Sequence, residues 1–290
     1  MRHTFSEKAY AKINLTLDVT GQRGDGYHTI ETVMHTVSLY DRVLVRRREE
    51  PGIVLSCNLP YLPRDGRNLA VRAAQAFLLA AGLGGQGLDI CIKKRIPVGA
   101  GLAGGSTDAA AVLRVLDRMY GSPIPYPDLL ELALSLGADV PFCMKGGAAV
   151  ARGIGELLQD APALPECWIV LCKPPVSVST RAAYALLDGW GELEHPAAAP
   201  AVDALERGDL RGLCKALGNS FQQPIEKEKP IILKIRQELL RSGAQGALMS
   251  GSGSAVFGIF EDQAAAREAA RRLSGRYRDT HLAQPVARIG

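Results

Sequence analysis

The run PVGAGLAGGSTDAAAVL at residues 97–113 constrains this chain more than any other feature: a glycine-rich loop passes through Ser106, Thr107 and Asp108 into an alanine-rich helix. Gly99, Gly101, Gly104 and Gly105 allow positive φ and let a ligand approach the backbone with no Cβ in the way. The helix that follows leaves the N–H groups of its first turn unpaired, and its dipole places about half a positive charge there. A loop and helix start of this kind make an anion site, and phosphate is the usual occupant. The bland alternative is a turn capped by Ser106 or Thr107, and the glycine density argues against it.

Two familiar phosphate loops are excluded. A Walker A loop needs lysine beside the hydroxyl residue, and here Thr107 follows Ser106. Gly99, Gly101 and Gly104 do spell GxGxxG, the dinucleotide fingerprint. That fingerprint requires a strand running straight into the first glycine and a second strand ending in an acid about 20 residues on. The strand at residues 88–92 is instead separated from Gly99 by Lys93, Lys94, Arg95 and Pro97, and the helix is followed by a proline-rich turn and another helix. A nicotinamide-dependent dehydrogenase is therefore rejected.

The 290 residues suit one large or two ordinary domains, and 47% hydrophobic with 22% charged residues is a globular composition. Net charge is only +4, and the short basic clusters at 46–48 and 93–95 read as solvated strand ends, so nucleic acid is not an expected partner. Cys57, Cys91, Cys143, Cys167, Cys172 and Cys214 form no CxxC pair, and the five histidines form no close ligand pair. Reduced thiols, no resident protein-bound metal and a cytoplasmic location are the expectation, with no secretory segment and no membrane-spanning run.

Along the chain, Ala11, Ile13, Leu15, Leu17 and Val19 alternate with Lys12, Asn14, Thr16 and Asp18, which predicts a strand. Further strands are expected over 30–45, 53–57, 88–92, 147–152 and 168–173, and near Val286, with a strand–glycine turn–strand over 247–260. Helices are expected over 68–81, 107–120, 129–136, 209–217, 230–241 and 263–273, and after Ser179 or Thr180. HPAAAPA at 195–201 reads as a flexible connection. Interleaved helices and strands without a strict βαβ rhythm give an α+β fold in two lobes, 1–160 and 161–290.

Certain residues carry two readings from sequence alone. Lys12 is either a solvated lysine on the polar side of its strand or a charge held for chemistry. Asp139, between Gly137 and Pro141, is either a turn residue or a functional carboxylate. Tyr27 and His28, after a glycine-rich turn, are either an ordinary surface pair or a contact for a flat base. Asn68 reads as a helix N-cap, with a ligand contact as the alternative.

Together, the loop, the C-terminal ALMSGSGSAVFGIF, the N-terminal AKINLTLDVTGQRGDGYHTIETVMHTVSLYD and GADVPF at 137–142 resemble the GHMP small-molecule kinase superfamily over essentially the whole chain. The N-terminal block and GADVPF are most similar to members acting on 4-CDP-2-C-methyl-D-erythritol. Relative to the superfamily pattern, Thr107 stands for a serine, and Ser254 and Ala255 for a proline and a small hydroxyl residue. The resemblance implies an N-terminal β/α lobe, a ferredoxin-like C-terminal lobe, and transfer of the γ-phosphoryl of ATP, with Mg²⁺ delivered alongside, to the 2-hydroxyl of that alcohol. It implies Lys12 and Asp139 as catalytic residues. It implies that Pro97, Val98, Gly99, Ala100, Gly101, Leu102, Ala103, Gly104, Gly105, Ser106 and Thr107 hold the ATP phosphates. Asn14, Tyr27, His28 and Tyr184 line the substrate pocket on the same reading, in a monomer or homodimer. If Lys12 lies about 4 Å from Asp139, their attraction is roughly 4 kcal/mol at an effective dielectric of ~20, which keeps Asp139 ionised. Asp139 then orients the hydroxyl and accepts its proton late, which suits a loose phosphoryl-transfer transition state. The rivals are a GHMP kinase for a mevalonate-type or homoserine-type alcohol and a noncatalytic nucleotide-binding relative.

Overall fold

The computed structural model describes residues 4–24 and 26–289. In chain order the elements are β1 (Thr4–Gln22), β2 (His28–Arg48), β3 (Gly52–Cys57), α1 (Leu69–Ala80) and β4 (Gly87–Lys93). Then come α2 (Gly104–Tyr120), α3 (Tyr126–Leu136), α4 (Val140–Lys145), β5 (Ala148–Arg152), β6 (Leu157–Asp160) and β7 (Trp168–Lys173). The remainder is α5 (Thr180–Asp188), α6 (Ala199–Glu206), α7 (Leu210–Ala216), β8 (Gly218–Asn219), α8 (Gln222–Glu228), α9 (Pro230–Arg241), β9 (Gly246–Met249), β10 (Val256–Phe260), α10 (Gln263–Ser274) and β11 (Asp279–Ala283). This mixture is the α+β class read from the sequence.

The chain forms two compact units that interleave in sequence. The first comprises Met1–Ala11, Tyr40–Val98 and Ala103–Lys145; the second comprises Lys12–Leu39, Gly99–Leu102 and Gly146–Gly290. β1 passes from the first to the second after Ala11, and β2 returns after Leu39.

In the first unit β4 lies between β2 and β3, antiparallel to β2 (Val43↔Ile92, Val45↔Ile90) and parallel to β3 (Leu55↔Ile90). The alternation places Val43, Val45, Leu88, Ile90 and Ile92 inside. Helix α1 starts where Asn68 Oδ1 accepts from Ala70 N–H at 3.0 Å, and packs on α2. The buried alanines Ala70, Ala73, Ala74, Ala109, Ala110 and Ala111 give these helices small facing surfaces, with Phe77 and Leu113 filling the core.

The second unit contains a four-stranded antiparallel sheet in the order β11-β7-β10-β9, covered by α9 and α10. Val170, Cys172, Val256 and Phe260 pack there with Ile232, Ile235, Leu239, Ala266 and Leu273. The rest of β1 and β2 also lies in this unit, β1 paired in parallel with β8 and β2 antiparallel with β5.

The elements differ from expectation at several points. α2 begins at Gly104, three residues before Thr107. The last strand is β11; near Val286 the chain makes only the isolated antiparallel bridge of Pro285 to Val37, flanked by Ser38 N–H donating to Gln284 O and Val286 N–H donating to Thr36 O. The end of the supposed flexible run 195–201 is already helical, α6 starting at Ala199 with Pro200 in its first turn, where a missing N–H costs nothing. GADVPF contains the start of α4.

Candidate active site

The loop between β4 and α2 owes its path to a second glycine-rich turn. Gly99 and Gly101 have φ of +62° and +73°. A Cβ on Gly101 would sit 2.0 Å from the Ser250 carbonyl oxygen, and one on Gly251 would sit 3.1 Å from the Gly101 oxygen. Gly101 therefore leaves no room for a side chain against the second turn, and Gly251 leaves little against the first. Ser250 Oγ donates to Gly101 O at 3.0 Å, and Ala255 N–H donates to Ala100 O at 3.0 Å, closing the clasp. Ser254 stands in this turn with its hydroxyl donated to Val176 O at 2.6 Å.

Positive φ at all four loop glycines is not what the structure has: Gly104 and Gly105 are the first helical residues of α2, and the left-handed position is Ala103 at +56°. Gly104 answers to space instead, because a Cβ would press on Ile96 Cγ2 at 3.1 Å and Lys94 Nζ at 3.3 Å. Ala103 caps α2 without a side-chain bond, so the N–H groups of Gly104, Gly105 and Ser106 point out of the helix start without intrahelical partners. Thr107 is buried and donates its hydroxyl to Tyr10 O at 2.7 Å. Of the two hydroxyls named from sequence, half-buried Ser106 is thus the one left for a phosphate oxygen or a metal ion.

Sequence reasoning missed a charge cluster beneath the loop. Lys94, read as part of a solvated basic cluster, is buried and donates to Asp41, to Asp108 Oδ2 at 2.7 Å and to Gly104 O at 3.1 Å. Asp41 also accepts from the N–H groups of Arg95 and Ile96. The cluster ties the end of β4 to the first turn of α2, gripping both ends of the loop within the first unit. Two carboxylates share one ammonium, and Asp108 Oδ1 is buried without a hydrogen-bond partner. Burial foremost, then the nearby Asp41 charge, push the Asp108 carboxyl up to about 7 against the pull of Lys94. The one available signal was an aspartate inside an apolar alanine-rich helix.

Lys12 is 5% exposed, which removes its reading as a solvated lysine. Both faces of β1 are buried around it, because the polar side meets other protein rather than water. Lys12 Nζ donates to Asn14 Oδ1 at 2.8 Å, Asn14 Nδ2 to Thr32 Oγ1 at 2.8 Å, and Ser250 Oγ accepts from Asn14 N–H at 3.2 Å. Lys12 N–H reaches Leu102 O at 3.3 Å. The second unit thus brings Lys12, Asn14, the middle of the phosphate loop and the SGSG turn together. Asp139 belongs to the first unit, half-buried ahead of α4, with its carbonyl accepting from Cys143 N–H at 3.0 Å. Arg114, itself paired with Glu7, donates to Cys143 O at 2.6 Å and so holds α4 in place.

The structure also joins His28 and Tyr184, whose rings stack at 4.3 Å and 14°. Phe221 meets Tyr184 edge-on at 5.0 Å. Tyr27 is 62% exposed beside them in sequence, its carbonyl accepting from Arg23 N–H at 2.7 Å. In the first unit a cavity of about 690 Å³ is lined by residues 60–65 and Arg67, adjoining Asn68. Asn58 binds both the N–H and the carbonyl of Lys94, at 2.7 and 3.1 Å, which docks this segment on the strand leading into the loop. Among the described residues no group of three His, Cys, Asp or Glu side chains is placed to hold a metal ion, and no helix is long and apolar enough to cross a membrane.

Residues 68–147 match the family model described as GHMP kinases N terminal domain, and residues 201–279 match GHMP kinases C terminal. The chain is 42% identical over 281 residues to 4-diphosphocytidyl-2-C-methyl-D-erythritol kinase of Alkaliphilus metalliredigens, covering 97% of this chain and 96% of that protein. It is similar to a crystal structure of 4-(cytidine 5'-diphospho)-2C-methyl-D-erythritol kinase, with TM-score 0.82, 38% identity, and coverage of 97% of this chain and 99% of that one. L. major mevalonate kinase shares the fold at TM-score 0.77 and 18% identity, covering 99% and 98% of the two chains. The chain belongs to the GHMP kinase family, among the 4-diphosphocytidyl-2-C-methyl-D-erythritol kinases.

Proposed function

We propose that the chain transfers the γ-phosphoryl group of ATP to the 2-hydroxyl of 4-CDP-2-C-methyl-D-erythritol, a step of the non-mevalonate route to isoprenoid precursors. The observation that carries this reading is the clasp between residues 100–101 and the SGSG turn, joined through Ser250 and Asn14 to buried Lys12. It supports an anion-binding loop and a buried cation organised by one hydrogen-bond network, which is what phosphoryl transfer demands: positioning and charge neutralisation.

On this reading the N–H groups from Gly99 to Ser106 receive the phosphates. Mg²⁺ delivered with ATP would supply charge neutralisation at the phosphates, and Ser106 would be the chain's hydroxyl to hold it. Lys12 stabilises negative charge developing near the acceptor oxygen, and Asp139 orients the hydroxyl and takes its proton late. Asn14 fixes Lys12 and contributes to the substrate pocket, while Tyr27, His28 and Tyr184 receive the cytosine. The cavity beside Asn68 takes the adenine. Residues 1–160 and 161–290 form the two kinase lobes, and the enzyme works in the cytoplasm as a monomer or homodimer.

ADP release with a panel of acceptors tests the reading. Activity with 4-CDP-2-C-methyl-D-erythritol and none with mevalonate or homoserine supports it. Equal activity with a cytidine-free alcohol would reduce the assignment to a GHMP kinase of another specificity, and no transfer to any alcohol would favour a noncatalytic relative.

A further inference from the structure

Helix α5 presents Tyr184 and Asp188 four residues apart, and therefore on one face. His28 lies against both. Its ring is stacked on Tyr184 at 4.3 Å and 14°, and its Nε2 is 2.8 Å from Asp188 Oδ1. The His28 side chain is 9% exposed, while that of Asp188 is 49% exposed. One ring face of His28 is thus fixed by stacking and one ring nitrogen by a carboxylate. Because a carboxylate only accepts, the hydrogen of His28 sits on Nε2, which makes Nδ1 the acceptor in the neutral ring.

We infer that Asp188 is a positioning residue for nucleobase recognition: it holds the His28 ring flat on Tyr184 and sets its tautomer, so the base meets a preformed stacking and hydrogen-bonding surface. This rests on the proposed function, in which Tyr27, His28 and Tyr184 receive the cytosine. A histidine–carboxylate contact that is half-exposed on its acidic side contributes little to stability without such a task. The value of this one lies in pre-organisation, since a histidine free to turn about its side-chain torsions must be ordered each time the base binds. Tyr184 also makes a T-shaped contact with buried Phe221, so the α5 face is itself firmly seated.

Steady-state kinetics of Asp188→Ala, Asp188→Asn, His28→Ala and the His28→Ala/Asp188→Ala double variant test this. Asp188→Ala should raise the KM for 4-CDP-2-C-methyl-D-erythritol about tenfold, with the loss falling on that constant rather than on kcat or the KM for ATP. Asp188→Asn retains the accepting Oδ1 and should restore most of the affinity. The double variant should bind no worse than His28→Ala, because Asp188 acts through that ring. A purely structural role would lower the melting temperature of Asp188→Ala and leave the KM ratio of the two substrates unchanged, overturning the inference. So would additive losses in the double variant. A wild type inactive on this substrate would instead overturn the functional reading, and normal wild-type turnover with an unaltered Asp188→Ala would overturn the inference alone.

Discussion

Gly101→Ala puts the loop's architecture to a quantitative test. The new Cβ would lie 2.0 Å from the Ser250 carbonyl oxygen and 3.2 Å from Gly253 N, so backbone must move on one side or the other. A tolerable contact requires about 1 Å of displacement, and a shift of that size at a positioning element costs on the order of 100-fold in rate. Holding alanine at φ +73° adds roughly 1–2 kcal/mol, and straining the Ser250 hydroxyl bond to Gly101 O adds about 1 kcal/mol. Gly99→Ala is the control: its φ is also positive, at +62°, but its Cβ would stand 3.7 Å from Ser177 Oγ, an ordinary contact. Coupled ADP-release kinetics should show kcat/KM for ATP falling at least ~100-fold for Gly101→Ala and less than ~10-fold for Gly99→Ala. Circular dichroism and thermal melting check that both variants fold. Wild-type ATP kinetics in folded Gly101→Ala, or equal damage from Gly99→Ala, would refute the idea that the two turns clasp one another through absent side chains.

Lys12→Ala and Asp139→Asn should each lower kcat by at least ~100-fold while calorimetry still detects binding of the cytidine-containing alcohol, and the double variant should lose less than the product of the two; independent losses would separate their roles. Ser106→Ala should weaken Mg·ATP use about tenfold or more with little effect on melting, whereas Thr107→Val should lower stability by ~1 kcal/mol, because it strands the Tyr10 carbonyl. The Asp108 carboxyl rises from an ordinary 3.8 to about 7 in the fold. Between those values the folded chain keeps a proton that the unfolded chain releases, so its contribution to stability declines as pH rises from about 4 to 7. Asp108→Asn should therefore melt higher than wild type at pH 8 and lose most of that advantage by pH 5, and a difference independent of pH would contradict the shared-ammonium cluster.

What the sequence disclosed and withheld follows from the range of each interaction. The glycine loop, the β1 alternation and the N-cap at Asn68 are local patterns whose physics lies within a few residues. Lys94 was misread because its carboxylate partners, Asp41 and Asp108, stand 53 and 14 residues away, and without them a lysine beside Lys93 and Arg95 reads as solvated. Lys12 remained open for the same reason: an alternating strand has a polar side, but only tertiary packing buries that side. The clasp joins Ser250 to Gly101 across 149 residues, so each glycine-rich segment was visible and their mutual dependence was not. Ala103 in the left-handed region carries no compositional mark, since tertiary context holds a residue there that local preference would not choose. Asp188, half-exposed at the end of α5, becomes informative only once His28 is found against it.

Phosphoryl transfer to one hydroxyl of a cytidine-bearing alcohol can be followed by ³¹P NMR of the reaction mixture. With ATP, Mg²⁺ and 4-CDP-2-C-methyl-D-erythritol, loss of the γ-phosphate signal should be matched one-to-one by a single new phosphomonoester on the 2-position, with the diphosphate bridge intact. Conversion of the γ-phosphate to inorganic phosphate alone, or a phosphomonoester at another hydroxyl, would contradict it.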